Sequence, residues 1–166
     1  MADLPLGDVT ALIAAANAGR GWRDGSGGAP SPDGTGAEGQ LEALFGVSRR
    51  LAAYGTLAPG RPNHHVVAPL GGEWTAGIVE GDMSAEGWGT TFGYPAFRPR
   101  IGGPAVAVQV LTAAALAGAW DELDEFEGPE YQRILVPVFR PDSADERRLY
   151  TVANIFAAAA GRPERG

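Results

Sequence analysis

The sequence predicts a small α+β or barrel-like domain in which one main helix accompanies at least five strands. Most candidate strands are rich in β-branched or aromatic residues and are bounded by Gly or Pro; they cover residues 49–54, 77–83, 106–111, 134–139 and 149–156. Strands and helices do not alternate regularly, which argues against a doubly wound sheet. A chain of 166 residues can bury one sizeable core but not two, so we expect one domain.

The first 48 residues are predicted to form an extension outside that domain. Residues 8–18 have the pattern of a short helix, with Asp8 as N-cap and Gly19 as its stop. Residues 24–39 consist mainly of Gly, Ser, Pro, Ala and Asp and predict a flexible linker, followed by a possible short helix over 40–45. The first helix is therefore tethered: it docks on the domain, contacts a partner or stays loose. The simplest interpretation is a weakly held extension without a catalytic role.

The domain begins with the strand over 49–54 and continues directly into Tyr54-Gly55-Thr56-Leu57. A glycine at the end of a strand lets backbone N–H groups turn toward a ligand, which is how a loop binds a carboxylate or an oxyanion. The side chains of Tyr54 and Thr56 add two hydroxyl groups. A strand that simply ends in a turn has the same pattern, so this motif alone does not identify a site.

The main helix is predicted over 112–126, with Thr112 as N-cap and Gly128 as its stop. Its apolar stripe has helical spacing and consists of Leu116, Trp120 and Leu123. The next position on the stripe is Glu127, so a carboxylate faces inward. Burial, the negative end of the helix and the acidic neighbours all raise its pKa, which suits a general acid/base. The alternative is a frayed last turn in which Glu127 swings out to solvent.

The strands over 134–139 and 149–156 are predicted to form a hairpin, because residues 141–145 carry Pro, Asp and Ser in a turn pattern. The glycine pattern of residues 87–93 does not match a dinucleotide fingerprint, since its spacing is wrong and no helix follows. The sequence also lacks a P-loop and a G-x-S-x-G elbow. Carboxylate, hydroxyl and backbone groups are therefore expected to carry any chemistry.

Composition excludes several other classes of function. A formal net charge of −7 argues against nucleic-acid binding. No apolar run spans a bilayer and no secretion signal precedes the domain, so we expect a cytoplasmic protein without membrane partners. The chain has no cysteine, and its histidines, His64 and His65, are adjacent and point in opposite directions on an extended segment. A metal site is therefore disfavoured.

Four short motifs occur in an order that resembles the γ-glutamylcyclotransferase-like family, also called AIG2-like, over roughly Leu51 to Phe156. They are Tyr-Gly-Thr-Leu at 54–57, Gly-Tyr-Pro-Ala at 93–96, Leu-Asp-Glu-Phe-Glu-Gly at 123–128 and Tyr-Gln-Arg at 131–133, followed by a hairpin that ends near Tyr150. The resemblance implies a small mixed β-barrel with one main helix packed against it, here residues 49–158 with a tail over 159–166.

The resemblance also implies site residues and a reaction. Residues 54–57 supply backbone donors to the substrate, Glu127 is the catalytic acid/base, and Tyr131 and, less directly, Tyr150 lie near the cavity. Both tyrosines could equally be strand residues with buried rings, and for Tyr150 that is the better interpretation. Arg133 matches the motif without an assigned role.

The implied reaction releases an amine or amino acid from a γ-glutamyl amide by cyclisation to 5-oxoproline, without metal or cofactor. The expected partner is therefore a small γ-glutamyl substrate, bound by a monomer or homodimer. The chief alternative is a small-molecule-binding or regulatory module that keeps the cavity without turnover. Many relatives carry Gly-Glu where this chain has Val108-Gln109, so the substrate is open; the overall acidity favours a cationic or neutral leaving amine.

Overall fold

The structure is a computed structural model that describes residues 5–22, 34–55, 57–84, 96–128, 131–141 and 148–158. Within these residues the helices are α1 (Leu6–Gly19), α2 (Gly34–Phe45) and α3 (Trp120–Glu127). The strands are β1 (Arg50–Ala53), β2 (Glu73–Ser84), β3 (Ala96–Pro99), β4 (Ala105–Thr112), β5 (Tyr131–Phe139) and β6 (Leu149–Ala158). None of the described helices is long and apolar enough to cross a membrane.

Five strands form a closed barrel in the order β2-β4-β1-β6-β5, and the pair Ile78↔Phe139 returns β5 to β2. β1 and β6 are parallel, whereas the other pairs are antiparallel, so the sheet is mixed. β3 lies outside this circuit on the C-terminal half of β2. The predicted α+β barrel with a main helix against it is therefore confirmed.

The barrel interior is filled by small and branched side chains from every strand. Its buried members are Ala52, Val79, Phe97, Val108, Val110, Ile134, Val136, Val138, Ala153, Ile155 and Ala157. The interior leaves no room at Gly77, where an added Cβ would lie 2.5 Å from Val138 Cγ1. Glycine at this position thus leaves room for the Val138 side chain of the adjoining strand β5.

The five predicted strands all form, whereas the short β3 was not predicted. The main helix was predicted too long. β4 continues to Thr112, a 3₁₀ turn spans Ala114–Gly118, and α3 begins only at Trp120. Thr112 pairs in the sheet with both β1 and β2, and its Oγ1 accepts a hydrogen bond of 3.1 Å from Arg50 instead of capping a helix.

The N-terminal extension docks on the outer face of β5 and β6. Buried side chains from both helices join it to the strands in one cluster: Val9, Ile13, Ala16, Ala37, Leu41, Val47, Leu135 and Val152. The linker prediction was wrong for residues 34–39, which belong to α2, because burial of Ala37 and Leu41 against α1 outweighs the low helix propensity of the glycines. Residues 24–33 of the predicted linker and the predicted tail over 159–166 lie outside the described residues.

The end of α1 also covers an open strand edge. Among the described residues β5 pairs with β2 only at Phe139, and no described strand adjoins the first half of that edge. The buried Asn17 side chain occupies it: Nδ2 donates to Leu135 O at 2.9 Å, and Leu135 N donates to Oδ1 at 2.8 Å. Arg20 Nη1 donates to Arg133 O at 3.2 Å on the same edge. The extension thus completes the polar pairing of the barrel wall.

Candidate active site

Glu127 ends α3 on the helix face whose preceding members, Trp120 and Leu123, are buried. Its side chain is half-buried, and burial raises its pKa to about 7. The last hydrogen bond of the helix, 3.1 Å long, runs from Gly128 N to Asp124 O. The predicted rise of the pKa is therefore present, but desolvation is its cause rather than the acidic neighbours.

Glu127 interacts electrostatically with Tyr54, at the end of β1. The pKa of Tyr54 lies well above its ordinary value because the ring is buried, and because ionisation there would be opposed by Tyr131 and Glu127. The three side chains therefore lie close enough for their charges to interact. The structure brings together Glu127, Tyr54 and Tyr131, which are far apart in the sequence.

The Tyr54 hydroxyl is already bound by main-chain groups. It donates to Phe156 O at 2.7 Å and accepts a bond of 3.3 Å from Phe97 N, while its ring lies 5.6 Å from that of Phe97. The single hydroxyl proton is therefore unavailable to a substrate. Tyr54 instead fixes the end of β1 against β3 and β6, which holds the following loop in place.

The loop after Tyr54 presents backbone groups. Gly55 N and Leu57 N donate no hydrogen bond to any part of the chain that the structure describes. Leu57 O faces His64 Nδ1 at 3.0 Å, and the buried Leu57 side chain packs under the helix. An added Cβ at Gly55 would meet no described atom within 4 Å, so this position opens onto free space. Thr56 lies outside the described residues, as does most of the Gly-Tyr-Pro-Ala motif.

Tyr131 and Tyr150 have different positions. Tyr131 is half-buried against the cluster beneath α3, beside Phe156. Tyr150 precedes Phe156 by six residues on β6, which places it on the order of 20 Å away along the strand. Its ring contacts the guanidinium groups of Arg50 and Arg140, at 5.8 Å and 5.3 Å from the ring centroid. The structure therefore does not bring Tyr150 to Glu127.

Arg133, which the sequence left without a role, fastens α3 to β5. Its Nε and Nη2 bind the Asp124 carboxylate at 2.8 Å and 3.1 Å, and its Cζ lies 4.6 Å from the centroid of the Trp120 ring. Trp120 Nε1 in turn donates to Ser48 O at 2.8 Å. These contacts fix the helix that carries Glu127. Arg133 follows Asp124 by nine residues in the sequence, but their contact could be predicted only once the strand that follows α3 was placed.

A cavity of about 490 Å³ lies beside this group, on the side of the N-terminal extension. The side chains that line it are Arg20, Glu38, Asp124, Tyr131, Gln132, Arg133 and Phe156. Tyr131 and Phe156 also belong to the cluster beneath α3, so the cavity adjoins the surroundings of Glu127. Sequence reasoning missed Arg20 and Glu38, because nothing in a sequence pattern indicates that the extension reaches this place.

Val108 is buried in the barrel interior and Gln109 is exposed, so the pair that departs from the family pattern puts an apolar group inside. Within the described part of the chain, no group of three or more His, Asp or Glu side chains is arranged to hold a metal ion.

The family model described as "Gamma-glutamyl cyclotransferase, AIG2-like" matches residues 51–165, more than half of the chain. A search of curated proteins finds no match.

The chain is similar to several solved structures. An AIG2-like protein from Mus musculus is 21% identical, and the match covers 69% of this chain and 80% of that one with a TM-score of 0.52. A protein from Arabidopsis thaliana is 20% identical, with coverage of 71% and 74% and a TM-score of 0.48. An uncharacterized protein from Pyrococcus horikoshii is 19% identical, with coverage of 70% and 81% and a TM-score of 0.46.

Proposed function

The chain belongs to the AIG2-like gamma-glutamyl cyclotransferase family, as the sequence resemblance predicts, and we propose that it cyclises γ-glutamyl amides to 5-oxoproline with Glu127 as acid/base. The observation that carries this proposal is the half-buried Glu127 carboxyl group, whose pKa is raised to about 7 beside the loop that follows Tyr54. The enzyme is expected to be cytoplasmic and to need no metal or cofactor.

The raised pKa suits the first proton transfer. The pKa of Glu127 is raised from 4.5 to about 7, which lowers the cost of moving a proton from the substrate's α-ammonium group to this carboxylate by about 3 kcal/mol, whatever the pKa of the ammonium group. Glu127 is thus a base that an α-ammonium group can protonate at neutral pH, and an acid that can return the proton.

The reaction then proceeds within the substrate. The freed α-amine attacks the γ-carbonyl carbon, forming the new C–N bond of a five-membered ring and a tetrahedral oxyanion. Collapse of this intermediate breaks the amide C–N bond as Glu127 returns a proton to the leaving nitrogen, and the ring nitrogen then gives its extra proton to Glu127 or to the released amine. The nucleophile is already part of the substrate, so holding it in a folded conformation supplies much of the rate advantage.

The loop after Tyr54 is assigned the anionic groups of the substrate. Backbone N–H groups of Gly55 and Leu57 make no hydrogen bond to described residues, which supports a role in binding the α-carboxylate or the developing oxyanion. The open space at Gly55 supports close approach of a ligand to the backbone. Tyr131 is assigned to the wall of the same site, and Tyr150 is left out because it lies elsewhere on β6.

The test is a mass-spectrometric screen for 5-oxoproline released from a panel of γ-glutamyl amides. Glu127→Gln protein is run alongside, with Glu125→Gln as the matched control, since Glu125 is exposed on the same helix. We expect product from wild type and Glu125→Gln, and none from Glu127→Gln. If the wild type releases no 5-oxoproline from a broad panel but still binds the amides, a non-catalytic binding module would be favoured instead.

A further inference from the structure

The cavity beside Tyr131 is built from two parts of the chain that the family match separates. Gln132, Arg133 and Asp124 belong to the matched residues 51–165, whereas Arg20 and Glu38 come from the extension. The extension therefore contributes charged side chains to a cavity next to the proposed reaction centre. The residues that the family model matches therefore do not form this cavity alone.

Two guanidinium groups face each other in this cavity. Arg20 Nη1 and Arg133 Nη1 both donate to Asn154 Oδ1, at 2.8 Å and 3.3 Å. Asn154 is only 1% exposed, and its Nδ2 donates to Val47 O at 2.8 Å, so the acceptor between the two arginines is rigidly held. Two cations are thus fixed side by side on a buried amide.

Each arginine also has a carboxylate partner, yet neither has all its donors used. Arg20 binds Glu38 through Nε, and Arg133 binds Asp124 through Nε and Nη2. A guanidinium has five N–H donors. The contacts of each arginine with described residues leave about two of these N–H groups without an acceptor. The arginine side chains are 19% and 22% exposed, against 36% and 43% for Glu38 and Asp124. The more buried charges in the cavity are therefore the positive ones.

The position of the cavity relates it to the leaving group. Asp124 precedes Glu127 by three residues, which is about 4.5 Å along the axis of α3. In a γ-glutamyl amino acid, the carboxylate of the leaving group is two bonds from the nitrogen that Glu127 would protonate. A substrate with its reacting amide at Glu127 would carry that carboxylate beside Tyr131, whose side chain belongs to the Glu127 site and also lines the cavity of Arg133 and Arg20.

We propose that Arg20, supplied by the extension, and Arg133 form a subsite that binds the carboxylate of the leaving group. This inference rests on the proposed function and narrows it: the leaving amine carries a carboxylate, as an amino acid does. It replaces the expectation, drawn from overall acidity, of a cationic or neutral leaving amine. The extension is then a determinant of specificity, because Arg20 adds a second cation, with two N–H donors on Nη2, to the one that Arg133 supplies.

The experiment compares two substrates that differ by the carboxylate alone, γ-glutamyl-alanine and γ-glutamyl-ethylamide. The measured quantity is the ratio of their kcat/KM values. Arg20→Gln should lower this ratio about 10- to 100-fold, the range for loss of charge-assisted hydrogen bonds, by slowing the alanine substrate alone. Arg20→Lys should lower it by less. The control Arg100→Gln, which removes an exposed arginine paired with Asp82, should leave the ratio unchanged.

Other outcomes separate this inference from the proposed function. An unchanged ratio in Arg20→Gln, or an equal loss with both substrates, would overturn the subsite while cyclisation stands. If the wild type releases no 5-oxoproline from any amide, the proposed function fails. The subsite is then tested by calorimetric binding of the same two compounds to wild type and Arg20→Gln, where an unchanged ratio of Kd values would overturn it.

Discussion

Two neighbouring sites meet at Tyr131 and handle charge in opposite ways. In the Glu127 site, formed by Glu127, Tyr54 and the loop after it, a half-buried carboxylate has no ion pair among the described residues. In the arginine cavity, formed by Arg20, Arg133 and their carboxylate partners, every charge is paired. An unpaired buried carboxylate holds its proton more tightly and can exchange it near neutral pH, whereas paired guanidiniums stay charged and bind anions.

The two sites also draw on different parts of the chain. The Glu127 site lies wholly within the family domain, but the arginine cavity needs α1 and α2. α1 is fixed to the barrel by the two hydrogen bonds of Asn17 and by an apolar cluster. Chemistry is thus assigned to the common domain and selectivity to the extension. The predictions below separate these two assignments, from the largest expected effect to the smallest.

Glu127→Gln removes the acid/base but keeps the shape of the site. We expect kcat for 5-oxoproline release to fall about 10²- to 10⁴-fold, the usual contribution of general acid/base catalysis. The Kd for the substrate, measured by calorimetry, should change little. A variant that keeps kcat would exclude Glu127 as the acid/base, and one that loses binding instead would make it a ligand of the substrate.

Asn17→Ala should destabilise the protein by about 2–4 kcal/mol, because it leaves Leu135 N and Leu135 O without partners under the extension. Chemical denaturation measures the change. Thr10→Ala is the control: its exposed hydroxyl bonds only Gly7 O at 3.0 Å, and its effect should stay below about 0.5 kcal/mol. Equal effects of the two substitutions would contradict the docking of α1 along β5.

Glu127→Gln should also stabilise the fold at alkaline pH. The pKa of Glu127 rises from 4.5 to about 7 on folding. Between these pH values the folded protein holds a proton that the unfolded chain has released, so the wild-type free energy of unfolding falls as pH rises from 4.5 through 7. Glutamine avoids this loss. After a discount for partial exposure we expect a gain of about 1–2 kcal/mol at pH 8. Denaturation at pH 8 and pH 4 checks it, since the gain should vanish at the lower value.

Glu38→Gln should change the substrate preference of the arginine cavity in the opposite direction from Arg20→Gln. Removing this carboxylate frees the Arg20 guanidinium from a competing anion and adds to the positive potential of the cavity. The preference for γ-glutamyl-alanine over γ-glutamyl-ethylamide should then rise about two- to fivefold, the size expected for one partly exposed ion pair. A lower preference would mean that Glu38, rather than Arg20, contacts the substrate.

Local sequence patterns predicted the barrel strands and Glu127, because each rests on neighbouring residues. The strand over 149–156 is rich in β-branched and aromatic residues, and Glu127 follows Leu123 on a single helix face. The same reasoning misjudged the start of the main helix, since Thr112 has sheet partners on two sides that no local pattern reveals. The family resemblance, rather than a local pattern, placed Tyr150 near the site, whereas the alternative of a strand residue with a packed ring fits its contacts with Arg50 and Arg140.

Long-range packing decided the remaining features. Glycine-rich residues 34–39 are helical because Ala37 and Leu41 are buried against α1. Arg20 reaches the cavity because Asn17 binds β5, although these positions are more than a hundred residues apart in the chain. Neither Arg20 nor Asn17 lies in a sequence pattern that would indicate these contacts. Contacts of this range become visible only once the barrel edge they cover is known.

The most direct test of the contrast between the two sites is a titration of the glutamate side chains by carbon-13 NMR in wild type and Glu127→Gln. An unpaired, half-buried Glu127 predicts one side-chain carboxyl resonance that titrates near pH 7 and is missing from the variant. If every glutamate instead titrates near its ordinary pKa of about 4.3, Glu127 is not held apart from solvent and the acid/base assignment is contradicted.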